Sequence, residues 1–226
     1  MAARDAACSC GQLRLEAAGD PIRISMCHCL ACQRRTGSAF SIQARFTADQ
    51  VQVVGRHSDY VRVSDEADKA RHTFHFCPDC GATVFYTSSH SPDVIAVPVG
   101  AFADPSFPPP TVSVYESRRH PWVGVPAAIE HQDDALWATQ LRPLYEAAEY
   151  AQAADRGREL LEAHPQYGDL FFNVACCESL ADRTADALEH LARAIDTSER
   201  FRALAKDDSD FDPIRDEPAF EELIGR

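Results

Sequence analysis

Seven of the nine cysteines stand at positions 8, 10, 27, 29, 32, 77 and 80, and nothing else in the chain restricts its fold so tightly. A disulfide framework normally has an even cysteine count and an export signal. The opening Met1-Ala2-Ala3-Arg4-Asp5 carries no apolar run, and no stretch nears eighteen uninterrupted apolar residues. Clustered cysteines in an intracellular chain more often hold metal. The expectation is a cytoplasmic, metal-binding protein that does not span a membrane.

The spacing divides the seven into two sets. Cys8-Ser9-Cys10-Gly11 is a Cys-x-Cys pair, and in extended chain residues i and i+2 face the same way. Cys77-Pro78-Asp79-Cys80-Gly81 is a Cys-x-x-Cys knuckle whose glycine permits a tight turn. Together Cys8, Cys10, Cys77 and Cys80 complete a closed, structural four-thiolate site. Cys27, Cys29 and Cys32 remain as three ligands with an open fourth position, the pattern of a catalytic zinc. Two Zn2+ ions per chain are expected. His28 should point away from the metal between its neighbours.

Around these motifs the apolar period is two, as in Phe40-Ser41-Ile42-Gln43-Ala44-Arg45-Phe46. Leu13/Leu15, Val51/Val53, Val61/Val63, Phe74/Phe76, Val84/Tyr86 and Val112/Val114 repeat it, and Val94–Val97 reads as a buried strand ending at an edge or bulge at Pro98. This predicts an all-β domain over 1–125. A linker at 126–133 follows, and then the period becomes helical over 134–226. Helices are expected at 149–163, 170–180, 185–195 and 200–205, with a last one from Pro218 that presents Phe220 and Leu223. Trp137/Phe171, Ala151/Ala185, Ala153/Ala187 and Leu161/Ile195 match at an offset of 34, the tetratricopeptide period. Pro143 kinks or starts the first helix of that array.

Charge follows the same division. Residues 1–125 hold 12 Lys/Arg and 12 Asp/Glu, while 126–226 hold 10 and 23 and carry the whole net charge of −13. No basic face stands out for nucleic acid. Asp208-Ser209-Asp210-Phe211-Asp212 opens like a calcium loop, but Pro213 and Ala219 replace the glycine and the bidentate glutamate it requires. Cys176 and Cys177 sit in a predicted helix and read as small core residues.

Cys8-x-Cys-Gly, Cys27-His-Cys-x-x-Cys-x-x-x-Thr-Gly37 and Phe76-Cys-x-x-Cys-Gly81, in this order, resemble the family of glutathione-dependent formaldehyde-activating enzymes and centromere protein V. The likeness extends to Tyr115, Arg118, Arg119 and Trp122. It implies a zinc-bearing β-tent, the same division of cysteines, and carbon–sulfur lyase chemistry joining a small thiol such as glutathione to a small aldehyde. Three thiolates leave a zinc ion with a net charge of about −1, a centre suited to holding a thiol as thiolate. His28, His72 and His75 are available as bases, though a histidine in a β domain is more often structural. Thr36-Gly37-Ser38 reads first as a turn, and Arg34-Arg35 as a solvated edge or a carboxylate contact. The rival readings are a non-catalytic adaptor that binds protein, or itself, through the repeats, and a thiol or metal sensor.

Overall fold

The structure, a computed structural model, describes residues 3–64 and 69–225. The chain forms two compact units: residues up to Ser113 with His120–Val123, and Val114–Arg119 with Gly124–Arg226. This boundary differs from the 125/134 division read from sequence. Asp133 accepts hydrogen bonds from Ser117, and His131 Nδ1 lies 2.8 Å from the Glu116 carboxylate, so 114–119 and 130–133 cohere with the helices.

In the first unit β1 (Ala3–Ala7), β2 (Arg14–Ala18) and β5 (Val51–Val54) form an antiparallel sheet in the order β1-β2-β5. A larger sheet runs from β10 (Val112–Val114) through β3 (Arg23–Cys27), β4 (Ser41–Thr47), β9 (Ser91–Pro98), β8 (Thr83–Ser88) and β7 (Arg71–Phe76) to β6 (Ser58–Val63). The sheets share one core, with Ala6, Leu15 and Ala17 packed among Ile24, Ala44, Phe46, Phe85 and Val97. Each fully buried Leu or Phe contributes about 1.5–3 kcal/mol. The alternation read in β4 is observed: Ala44 and Phe46 enter the core, while Ser41, Gln43 and Arg45 line the other face. β9 lies inside the sheet, and Pro98 is only its last residue, opposite Gln43. The unit also holds a helix that the all-β expectation did not include, α1 (Leu30–Thr36).

The second unit is helical. α2 (Asp134–Leu136) runs into a π turn at Trp137–Leu141 and then α3 (Arg142–Glu146). Pro143 near the start of α3 has no N–H to continue an α ladder, and Arg142 N instead reaches back to Trp137 O. α4 (Tyr150–Ala163), α5 (Gly168–Leu180), α6 (Thr184–Thr197), α7 (Arg200–Asp207) and α8 (Pro218–Ile224) follow. α4 and α6 both have 14 residues and start 34 positions apart. Leu141, Leu160, Phe171, Val174, Leu191, Ile195, Phe201, Phe211 and Phe220 build the core. Cys176 belongs to it and Cys177 packs on Ala153 and Ala154, while Asp208 caps Asp210 N at 3.0 Å.

Gly157 marks the tightest approach of α4 to α5, where an added Cβ would stand 2.3 Å from Val174 Cγ2. Gly157→Ala is therefore expected to destabilise the unit. Overpacking of about 1–3 kcal/mol outweighs the ~1 kcal/mol gain in helix propensity. Val174→Ala in the same chain should recover part of that loss in thermal unfolding; no recovery would mean the contact is not what excludes a methyl group.

Candidate metal centres

The Cys8–Cys10 segment is a turn, not the extended chain expected from i, i+2 spacing. Gly11 N bonds Cys8 O at 2.9 Å, and Cys8 N bonds Leu13 O at 2.9 Å. The second knuckle repeats the pattern, with Gly81 N on Cys77 O at 2.8 Å and Cys77 N on Ala82 O at 3.0 Å. Gly11 and Gly81 have φ of 74° and 75°, a left-handed conformation that glycine adopts without strain. The two turns bring Cys8, Cys10, Cys77 and Cys80 together, with all four sulfurs within 4.8 Å of one another. Cys8 Sγ lies 3.5 Å from Cys10 Sγ, which lies 3.7 Å from Cys77 Sγ. A zinc–sulfur length of about 2.3 Å implies tetrahedral edges of about 3.8 Å, so the four fit a thiophilic ion. Two further donors serve the set, Leu13 N to Cys8 Sγ and Gln12 Nε2 to Cys77 Sγ, each at 3.3 Å. Gln12 is in turn held by Arg56, whose N–H donates to Gln12 Oε1 at 2.6 Å.

The second set is local. Cys27 ends β3, Cys29 caps α1, and Cys32 lies in the first turn of that helix. Their sulfurs also lie within 4.8 Å of one another. Cys27 is buried, whereas Cys29 and Cys32 are half-buried. The three share one anionic charge. Hydrogen bonds from Cys27, then Cys32, and from the Cys32 and Ala31 amides pull the Cys29 thiol down to about 2. The bond to Cys29, then that to Cys32, and burial push Cys27 well up. A divalent cation among them would let all three ionise, and a soft all-sulfur donor set suits zinc.

Among the described residues, no histidine joins either sulfur set. The His28 ring is buried, 3.2 Å from Ser113 Oγ and against Phe40. His72 stands opposite Ser88 in the β7–β8 register. His75 meets Asp59. Thr36-Gly37-Ser38 is a helix cap: Gly37 N bonds Gln33 O at 2.9 Å and Thr36 Oγ1 bonds Cys32 O at 2.9 Å. Arg34 is exposed, whereas Arg35 lies over the Phe74 ring at 4.9 Å and donates to Ser41 Oγ at 3.1 Å.

Sequence reasoning missed three participants. Gln12 could have been suspected from its place directly after the Cys-x-Cys-Gly turn. Tyr86 is pushed up to about 12, chiefly by burial, and it feels the charges of Arg45, Cys32, Cys27 and Arg35. His120 Nε2 lies 3.0 Å from Gln33 Oε1 on α1 and stands beside the exposed Trp122. Only the strand register and loop closure bring Tyr86 and His120 to this region, so no local signal marks them.

Residues 3–118 match the profile of the family described as glutathione-dependent formaldehyde-activating enzyme. No protein of curated function matches the chain. A solved structure of a Rhodobacter sphaeroides protein is similar at 22% identity, covering 46% of this chain and 91% of that one. Its TM-score of 0.35 gives that likeness no weight here.

Proposed function

This chain belongs to the family of glutathione-dependent formaldehyde-activating enzymes, and on that premise we propose that it is a zinc-dependent carbon–sulfur lyase acting on a small thiol–aldehyde adduct. The observation that carries this reading is the convergence of Cys27, Cys29 and Cys32, two of them half-exposed, in a second set beside a complete four-cysteine set. Cys8, Cys10, Cys77 and Cys80 would hold a structural ion, and Cys27, Cys29 and Cys32 an ion with room for one more ligand. The chemistry zinc supplies there is Lewis acidity, which keeps an incoming thiol ionised near neutral pH.

The reaction forms one carbon–sulfur bond. The substrate sulfur attacks the aldehyde carbon, the carbonyl electron pair moves to oxygen, and that oxygen takes up the thiol proton; the reverse releases both. The sheet face beside Cys27 suits this work. Ser41 pairs with Cys27, Gln43 with Ser25, and Arg45 with Arg23 across β3 and β4, so these side chains share one face. The thiol we assign is glutathione or a small thiol like it, on the strength of the family's description. Tyr86, whose burial keeps its proton on at neutral pH and which feels the charges of Cys27 and Cys32, is the group we assign as hydrogen-bond donor to the oxygen as it gains charge.

The helical unit we assign to partner binding or self-association, as a tetratricopeptide-like pair. The support is its helix bounds: α4 and α6 start 34 residues apart, and Asp134–Glu146 precedes Gly168–Leu180 by the same interval. A purely adaptor protein would need no second, open cysteine set.

The test is exchange NMR of the zinc-loaded protein with glutathione and formaldehyde. The wild-type chain should accelerate exchange between free and adduct forms, and folded Cys29→Ser should lose that acceleration. Undiminished acceleration in Cys29→Ser would remove the open set from the reaction.

A further inference from the structure

A third cluster of metal-ligating side chains, sharing no ligand with either cysteine set, lies at the β6–β7 edge. Asp59 and His75 are direct cross-strand partners, and His57 approaches from the residue just before β6. Both imidazoles aim the same kind of atom at the same acceptor: His57 Nδ1 and His75 Nδ1 each lie 2.8 Å from Asp59 Oδ1. All three ligand atoms fall within 4.8 Å of one another.

The rings are held in place by packing. His75 stacks on Phe85, its partner in the β7–β8 register, with centroids 4.2 Å apart and planes at 17°. His57 meets His75 edge-on at 84° and Phe85 at 79°. Two nearly perpendicular imidazoles and a carboxylate thus converge from one side, while His57 and Asp59 stay exposed on the other. As a hydrogen-bonded cluster alone, side chains this exposed would contribute little to stability. As ligands they form a two-histidine, one-carboxylate set with open positions.

We propose that His57, Asp59 and His75 form a third, exchangeable site for a divalent transition-metal ion, open to water and separate from the cysteine-held ions. Its nitrogen and oxygen donors suit nickel or copper(II), whereas the all-sulfur sets suit zinc, so metal choice differs between the sites. Because the donors face solvent, water completes the coordination and release is fast compared with a buried thiolate site.

The experiment uses full-length protein with both cysteine sets filled with zinc, verified by elemental analysis, and titrates it with Ni2+. Calorimetry and histidine-ring NMR should show one further saturable equivalent, with the His57 and His75 resonances broadened first. His57→Gln and Asp59→Asn should each weaken binding by about tenfold or more, since even the loss of an outer-shell partner costs ~10–100-fold. Their unfolding midpoints should stay near wild type, which separates loss of a ligand from loss of the fold. Three results would overturn the proposal. One is no saturable binding. Another is binding unchanged in both variants, which marks an adventitious ion only. The last is sulfur-to-nickel charge-transfer absorption without histidine broadening, which places nickel on the cysteines.

Discussion

Cys77→Ser is expected to abolish cooperative folding of the β unit and to release one of two bound zinc ions, whereas Cys29→Ser should release the other and leave the unit folded. The difference comes from what each set ties together. Cys77 is fully buried in the core with Cys8, and Cys10, 3.7 Å from it, lies 67 residues away in sequence on the turn between β1 and β2. Those two turns belong to different sheets, so an ion held there fixes the smaller sheet to the larger one. Zinc held by four thiolates contributes on the order of 10–16 kcal/mol, which equals or exceeds the whole stability of an ordinary domain, about 5–15 kcal/mol. Cys27, Cys29 and Cys32 lie within six residues at the end of β3 and the start of α1. Closing so short a loop removes little chain entropy, and β3 is already held by β4 through five register pairs. Circular dichroism with zinc analysis on both variants decides the matter. Equal loss of folding would mean that the three-cysteine set is structural too, and a wild-type content of one zinc per chain would remove the two-site reading.

The strands that were legible in the sequence are those whose apolar residues recur at every second position. β4 is the clearest, with Ala44 and Phe46 in the core and the polar Ser41 and Gln43 on the other face, and the sequences of β2, β5, β7 and β8 repeat the theme. β1 escaped notice because Ala3-Arg4-Asp5-Ala6-Ala7 buries only Ala6. β3 escaped because its alternation, Ile24 and Met26 between Arg23 and Ser25, is short and runs straight into the cysteine motif at Cys27. The cysteine sets were legible because turns place ligands at short, fixed spacings. Tyr86 and the His57–Asp59–His75 cluster were not, because register places them across β6, β7 and β8, and register is a property of the folded sheet. In the helical unit, the offset of 34 appears in the helix bounds themselves. The residues that fasten 114–119 to the helices are polar and carry no periodic signal.

A buried carboxylate that accepts from Asp133 leads to the second large expected effect. Asp169→Asn should stabilise the helical unit strongly at pH 8 and little at pH 4. Asp169 lies at the start of α5, where its Oδ2 accepts Asp133 N at 3.1 Å and its buried Oδ1 has no hydrogen-bond partner. Burial pushes its carboxyl up to about 7; Asp134 and Asp133 add to the rise, while the Asp133 N–H and Arg200 oppose it. An unfolded aspartate titrates near 3.9. The protonated form is therefore the one the fold favours: stability is complete below about pH 4, falls as pH rises toward 7, and levels off above that. The full cost at pH 8 approaches about 4 kcal/mol for a shift of this size, and relaxation of the site brings it to about 2–4 kcal/mol. Asparagine keeps an oxygen for Asp133 N and never ionises, so it removes that cost without emptying the site. A gain of this order raises the midpoint by about 10 °C or more in a unit of this length. Thermal unfolding of wild type and Asp169→Asn at pH 8 and pH 4 reads the difference directly. A gain equal at both pH values would place its origin in packing and not in ionisation, and a loss at pH 8 would show that the fold depends on the charge.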